Sequence, residues 1–399
     1  MWMDHQLEHG RRDVALDGVR GIACLLVLLH HCGRGPGVSA AAKIFNRISA
    51  AGWVGVDLFF VLSGFLITGL LLEGRGRPGG LRRFWSRRAL RILPLAYLFM
   101  ALVFLSPIWR GEAWHPALAS EQAWFWSYTN NWLALARPSL DHGVLGHFWS
   151  LAIEEQFYLV WPIVTMLLAP RQLGRLCLLI LCASLAGHLV AAAHGAGTDV
   201  VCSLTPARLD GLMAGAWLAT RAHTRDPPTP ARRSHWALLL ASGMLAVVLI
   251  AVTGGLRAGN RLVLSIGFSA LALIFALFIA GLMSAPDGAA VRRLCGARPL
   301  ASLGRISYGF YVLHVPAVAF LRKNWAPTGT FGDCLGFLAA ALLGSALLAT
   351  VSWFAFERPL LRLRPRPVTG GDIHEHETQP GEVRGGRWQF PAGLRLRRE

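Results

Sequence analysis

An arginine and a histidine eleven positions apart, Arg20 and His31, bracket the apolar run RGIACLLVLLHHC. At 3.6 residues per turn this interval is close to three turns, so both side chains leave one helix face, about 16 Å apart along its axis. His30 points roughly 100° away. Ionisable groups inside a membrane helix are costly and commonly functional. One reading is a long ligand lying along the helix, its anionic part at Arg20 and its reactive end at His31. The other is an arginine that snorkels to the headgroups and a histidine that closes the helix. The next apolar segment, GWVGVDLFFVLSGFLITGLLL, brings Asp57 to a depth similar to His31. There the carboxylate either partners the histidine or accepts hydrogen bonds in a polar cavity. Gly52, Gly55, Ser63 and Gly64 read as small residues that let helices approach closely.

Four further stretches place polar groups in apolar surroundings. In FWSRRALRILP, Arg88 and Arg91 lie one turn apart where the segment enters the membrane; they are either topological charge or a phosphate-type anion site. In HFWSLAIEEQFYLVWP, Ser150, Glu154 and Tyr158 fall at i, i+4 and i+8, and His147 shares their stripe. Glu155 and Gln156 take the neighbouring faces. Two carboxylates entering a membrane helix are hard to explain as packing, so this stripe reads as functional. TPARLDGLMAG holds Arg208 and Asp210, which can pair across the start of a cavity. GRISYGFYVLHVP carries Arg305, Tyr308, Tyr311 and His314, the last two one turn apart. The closing FERPLLRLR offers Glu357 and Arg358 as a structural ion pair.

The elements that position these residues follow from composition. The chain has 399 residues, 54% of them hydrophobic and only 15% charged, with mean hydropathy +0.45. That is a polytopic membrane protein, all-α, because spanning segments must satisfy their backbone internally. About ten spans are predicted by length, near 14–32, 53–73, 89–109, 147–169, 174–194, 200–220, 235–254, 262–284, 303–321 and 334–356. Alternate gaps are arginine-rich: 74–91, 221–234 and 285–302. With Arg11, Arg12 and the basic tail on the same side, both termini are expected in the cytoplasm. The net charge of +17 is spent on these gaps, which excludes a nucleic-acid face. The seven cysteines form no CxxC pair and read as small core residues. No cleavable signal is expected, since Asp17 and Arg20 interrupt the first run. The Trp-rich stretch 110–146 is predicted to lie on the outer face, with an interfacial helix around 118–135. A cytoplasmic segment 1–13, a membrane domain 14–360 and a disordered basic tail 361–399 complete the organisation.

The ordered motifs resemble the bacterial membrane acyltransferase-three family, whose members O-acetylate surface polysaccharides, lipopolysaccharide, peptidoglycan, Nod factors and macrolides. The pattern LDGxRGxAxxxVxxxH corresponds to Leu16 through His31. GVDxFFVxSGFLI follows from Gly55, FxxRRxxRIxP from Phe84, WSLxxEEQFYLxWP from Trp149, RxDGLxxG from Arg208 and GxxSYxxYxxHxP from Gly304, with a closing ERP. The resemblance spans about residues 14–360 and implies ten helices, an essential Arg20–His31 pair, and transfer of an acyl group from cytoplasmic acyl-CoA, foremost acetyl-CoA, to a hydroxyl. Arg20, Arg88, Arg91, Arg208 and Arg305 are then expected to hold the CoA phosphates. His31, Asp57, Glu154 and Glu155 are expected as catalytic groups, with Asp57 or Glu155 orienting the histidine. Ser150, Gln156, Tyr158, Tyr311 and His314 are expected around the acceptor, and no metal is expected. An acyl-histidine intermediate is the mechanistic alternative. His30 stands where the family more often has an aromatic residue. No SGNH-type esterase domain is expected in this chain. The expected acceptor is a surface carbohydrate, with a macrolide or similar metabolite second, and the expected location is the bacterial inner membrane. A transporter or flippase of a lipid-linked glycan is the reading from another class, and neither an internal repeat nor paired broken helices favour it.

Overall fold

The computed structural model describes residues 13–33, 37–105, 116–224, 234–254, 256, 259–325 and 328–363. The N-terminal segment to residue 12 and the tail from 364, with its expected disorder, lie outside them, as do Arg225, Arg232 and Arg233. Every regular element among the described residues is a helix. The long ones are α1 (Val14–Cys32), α2 (Val54–Glu73), α3 (Gly80–Leu105), α4 (Phe148–Leu167), α5 (Pro170–Ala193), α6 (Thr205–Thr224), α7 (Ser234–Thr253), α8 (Phe268–Ser284), α9 (Ser307–Asn324) and α10 (Phe331–Ser352).

Among the described residues, seven helical stretches are long and apolar enough to cross a membrane: those containing α1, α2, α3, α5, α7, α8 and α10. The expected spans 147–169, 200–220 and 303–321 form helices α4, α6 and α9. They are less apolar because they hold Glu154 and Glu155, Arg208 and Asp210, and Arg322 and Lys323. Polar groups on such helices are tolerable only where other helices cover them. Accordingly Ser150, Arg208, Asp210 and His314 are all buried.

Glycine sets the closest helix contacts. A Cβ on Gly64 of α2 would stand 1.9 Å from the Leu212 carbonyl oxygen of α6, and one on Gly215 of α6 would stand 1.9 Å from that of Val61. These two backbones touch, as small residues at membrane interfaces permit. The same device seats α1 on the short helix Arg298–Arg305: a Cβ on Gly304 would lie 1.8 Å from the Asp17 carbonyl oxygen. Gly52 and Gly55 also meet α1 backbone, at Leu26 and Ala23. Ser63 departs from the packing role expected of it, since its hydroxyl bonds a carboxylate in the cavity described below.

Two segments differ from expectation. The stretch 118–135 is not one interfacial helix but part of a run of short turns, Pro116–Ser120, Gln122–Trp126 and Asn130–Ala136. Its apolar groups Phe125 and Leu133 are fully buried against the bundle, and Tyr97 of α3 donates to the Trp126 carbonyl at 3.1 Å. The turn needs Tyr128 at φ 54°, left-handed backbone that costs a non-glycine residue about 1–2 kcal/mol. Burying the aromatics inward rather than in headgroups offsets that strain. Between α1 and α2, an unanticipated helix, Ala40–Ala50, buries Ala42, Phe45 and Ser49 and leaves Ile44 and Ile48 exposed.

Candidate functional site

α1 and α9 run side by side in the same direction, because Gly304 abuts Asp17 at one end and the His314 ring meets the His31 ring at the other. Arg305, which ends the short helix Arg298–Arg305 just before α9, therefore falls near the Arg20 end of α1, and His314 falls beside His31. Alongside them lies a cavity of about 120 Å³, lined by α1, α2, α3, α4 and α9 and by the turn that precedes α9.

At its first end stand Arg20, Arg88, Arg91 and Arg305. Arg20 pairs with Asp17 one turn before it at 3.2 Å. Arg88 lies over the Tyr158 ring, 3.8 Å from its centre, and its Nε is buried with no hydrogen-bond partner. Arg91 is tethered more firmly. The chain beyond α10 widens into a π-helical turn, Trp353–Glu357, which sets Glu357 3.7 Å from Arg91 and the Trp353 ring 4.9 Å from its guanidinium. The expected Glu357–Arg358 pair is thus replaced: Glu357 serves Arg91, and Arg358 lies over Phe354 instead. Four guanidinium groups around one cavity have the geometry and charge for phosphate oxygens.

The middle belongs to α4, whose Ser150, Glu154 and Tyr158 all face the cavity, as their spacing predicts; Glu155 lines it too. Ser63 of α2 donates to Glu154 Oε1 at 2.7 Å and accepts from the Tyr158 hydroxyl at 3.1 Å. Trp161 to Thr68 and Trp85 to the Tyr158 carbonyl lock α4 against α2 and α3, at 2.8 and 3.0 Å.

At the far end Ser150 and Tyr311 share a short hydrogen bond, and both hydroxyls reach the His147 carbonyl, at 3.1 and 3.3 Å. Behind them the histidines gather. The His314 ring is 5.1 Å from that of His31, 5.2 Å from that of His147 and 5.4 Å from that of Tyr311. His30 touches His31 edge-on at 5.3 Å. Arg322 of α9 closes the last turn of α1 by donating to the His31 carbonyl. The arrangement is a cavity lined by cationic groups, carboxylates and hydroxyls, with the imidazoles packed behind its Tyr311 wall rather than lining it.

Five expected residues do not line the cavity: His31 and His314 stand behind its Tyr311 wall, and Asp57, Arg208 and Gln156 stand elsewhere. Asp57 accepts from Arg208 at 2.7 Å, with both side chains 1% exposed, and neither lines the cavity. The Arg208 guanidinium also packs on Phe268 at 4.0 Å. In this arrangement Asp57 is engaged by Arg208 and not by His31, which is the second of its two expected settings, an acceptor of hydrogen bonds. Asp210, the expected partner of Arg208, accepts instead from the Gly211 amide and from Ser269, at 2.8 and 3.3 Å. Gln156 points away from the cavity. It donates to the Tyr128 carbonyl and to Asn131 Oδ1, each at 2.8 Å, and accepts from Thr205 at 2.5 Å. It holds the strained turn and does not line the cavity.

Ser63 lines the cavity and His147 stands behind it against Tyr311 and His314, although sequence reasoning assigned neither a firm role. The signal for His147 was its stripe with Ser150 and Glu154. Nothing in the spacing of Ser63 separates it from the packing residues around it. Among the described residues no group of three or more potential ligands is arranged to hold a metal.

Residues 13–357 match the family model described as an acyltransferase domain. A Bacillus subtilis (strain 168) protein provisionally named peptidoglycan O-acetyltransferase YrhL is 28% identical over 389 residues, covering 90% of this chain and 56% of its own. Peptidoglycan O-acetyltransferase OatA of Listeria monocytogenes (serovar 1/2a) is 27% identical over 322 residues, covering 76% and 49%. O-acetyltransferase OatA of Staphylococcus aureus (strain NCTC 8325 / PS 47) is 27% identical over 364 residues, covering 86% and 56%. The chain thus spans about half the length of the curated relatives it matches. No solved structure matches it.

Proposed function

We propose, from the premise that this chain belongs to the acyltransferase-domain family, that it is a multi-pass O-acetyltransferase drawing on cytoplasmic acyl-CoA and esterifying a hydroxyl of a cell-envelope carbohydrate. The observation that carries the reading is the cavity itself, lined by four arginines and by Glu154, Tyr158, Ser150 and Tyr311, with the histidine cluster packed behind Tyr311. Arg20, Arg88, Arg91 and Arg305 bind the CoA phosphates. The pantetheine arm runs along the wall formed by Ser63, Glu154 and Tyr158, which brings the thioester to the Ser150–Tyr311 end. There His31 removes the acceptor's hydroxyl proton as that oxygen attacks the thioester carbonyl. The C–O ester bond forms, the C–S bond breaks, and the proton passes from His31 to the departing CoA thiolate.

In this reading all ten long helices cross the inner membrane and both termini are cytoplasmic, which the arginine-rich gaps favour. Arg20 and Arg305 then face the compartment that supplies CoA, and the histidines face the outer one. The relatives' names favour peptidoglycan as the first acceptor to test.

The test is CoA thiol release from acetyl-CoA by protein purified in detergent, with and without glycan fragments. Glycan-stimulated release that persists in His30→Ala and is lost in His31→Ala is the expected result. Loss in His30→Ala with full activity in His31→Ala would move the chemistry to the other histidine. Protein that translocates a lipid-linked glycan without consuming acyl-CoA would replace the transferase reading with transport.

A further inference from the structure

The two histidines behind the Ser150–Tyr311 end are each fixed in one tautomer. His314 Nδ1 lies 2.7 Å from the Tyr311 carbonyl oxygen, and His147 Nε2 lies 3.2 Å from that of Val312. A carbonyl only accepts, so in each neutral ring the hydrogen sits on the bonded nitrogen and the other nitrogen keeps its lone pair. Those other nitrogens, His314 Nε2 and His147 Nδ1, are buried and have no hydrogen-bond partner. His314 is 0% exposed and His147 4%. A buried acceptor left unbonded costs about 1–3 kcal/mol, so a bond made to it during turnover recovers that amount. A neighbouring ring of His314 is that of His31, at a centroid separation of 5.1 Å. Two imidazoles joined by an N–H···N bond have centroids about 5 Å apart, since each nitrogen lies about 1.2 Å from its ring centre and the bond spans about 3 Å. With His314 held by the Tyr311 carbonyl, it is the His31 ring that must turn to make such a bond.

We propose that His314 is the positioning residue of His31: its Nε2 accepts the imidazole N–H of His31, fixes the tautomer and orientation of that ring, and holds the opposite nitrogen toward the acceptor hydroxyl. The base is thereby oriented by a neutral imidazole rather than a carboxylate, because Arg208 occupies Asp57. Stacking on Phe310, at 6.2 Å and 2° between planes, and the Tyr311 carbonyl keep the His314 ring in register. His147 closes the other side of the same ring. The inference rests on the reading of His31 as the base.

The experiment compares His314→Gln, His314→Asn and His314→Ala with wild type and His31→Ala. It measures kcat and acetyl-CoA KM together with thermal unfolding. The asparagine amide reaches only the Nδ1 position and keeps the bond to Tyr311. The glutamine amide reaches the Nε2 position and restores an acceptor there. The expected result is a kcat about 10–100-fold lower in Asn and Ala, a loss of the size seen when an orienting partner is removed, with acetyl-CoA KM unchanged and substantial recovery in Gln. Equal kcat in Gln and Asn would overturn the proposal, as would wild-type kcat in Ala. Loss in Ala as complete as in His31→Ala, with no recovery in Gln, would make His314 a proton acceptor in its own right and equally overturn it. If Ala fails to fold, the polar Gln–Asn pair decides the matter. Full activity in His31→Ala would fail the underlying reading, a result distinct from a wild-type His314→Ala beside an inert His31→Ala.

Discussion

Arg208 and Asp57 offer the clearest separation of architecture from chemistry. Their side chains meet at 2.7 Å, each is 1% exposed, and the guanidinium also packs on Phe268. Arg208→Gln leaves Asp57 as a stranded buried carboxylate, and Asp57→Asn strands the arginine. Breaking such a pair from one side costs about 3–5 kcal/mol. Transfer of a lone Asp or Arg to the middle of a membrane helix, about 2.5–3.5 kcal/mol, gives a similar figure independently. The double variant, in which both groups are neutral and near their original volumes, is expected to lose less than either single change. In detergent, each single substitution should lower the melting temperature by roughly 5 °C or more, with the double variant closer to wild type. The coupling between the two sites should be about 2 kcal/mol. Acetyl-CoA affinity of the folded fraction should be unchanged, because neither residue lines the cavity. A variant Arg208→Gln that melts like wild type but no longer binds acetyl-CoA would refute this reasoning and return Arg208 to the phosphate site.

Arg88→Ala and Arg91→Ala are expected to weaken acetyl-CoA binding, measured by equilibrium titration, since a hydrogen bond to a charged group is worth about 1.5–3 kcal/mol. That is roughly 10–100-fold in Kd, with the larger loss at Arg88, whose Nε has no competing partner, whereas Glu357 already engages Arg91. Unchanged donor affinity in both variants would remove the phosphate assignment. Gln156→Ala releases the left-handed turn at Tyr128 and should destabilise the protein by about 1–3 kcal/mol with donor and acceptor KM unchanged. A raised acceptor KM without a change in melting temperature would place Gln156 back at the substrate.

Much of this was legible in the chain itself. Helical periodicity alone put Arg20 with His31, and Ser150 with Glu154 and Tyr158, on shared faces, because positions on one rigid helix are fixed by 3.6 residues per turn. Hydropathy located the long helices, since a membrane-crossing segment must be apolar for a known length. Those rules act within one segment and hold whatever surrounds it. Partner choice obeys no such local rule. That Arg208 takes Asp57 rather than Asp210, that Glu357 turns to Arg91, and that Gln156 ties down Tyr128 all depend on which helices come together and how deeply each pair is buried. Contacts between backbones at Gly64 and Gly304 leave no room for a side chain and so select those neighbours. Only with α1 and α9 side by side and parallel does His314 come to stand beside His31, nearly three hundred residues away in sequence, because Coulomb forces and hydrogen bonds act across space and not along the chain.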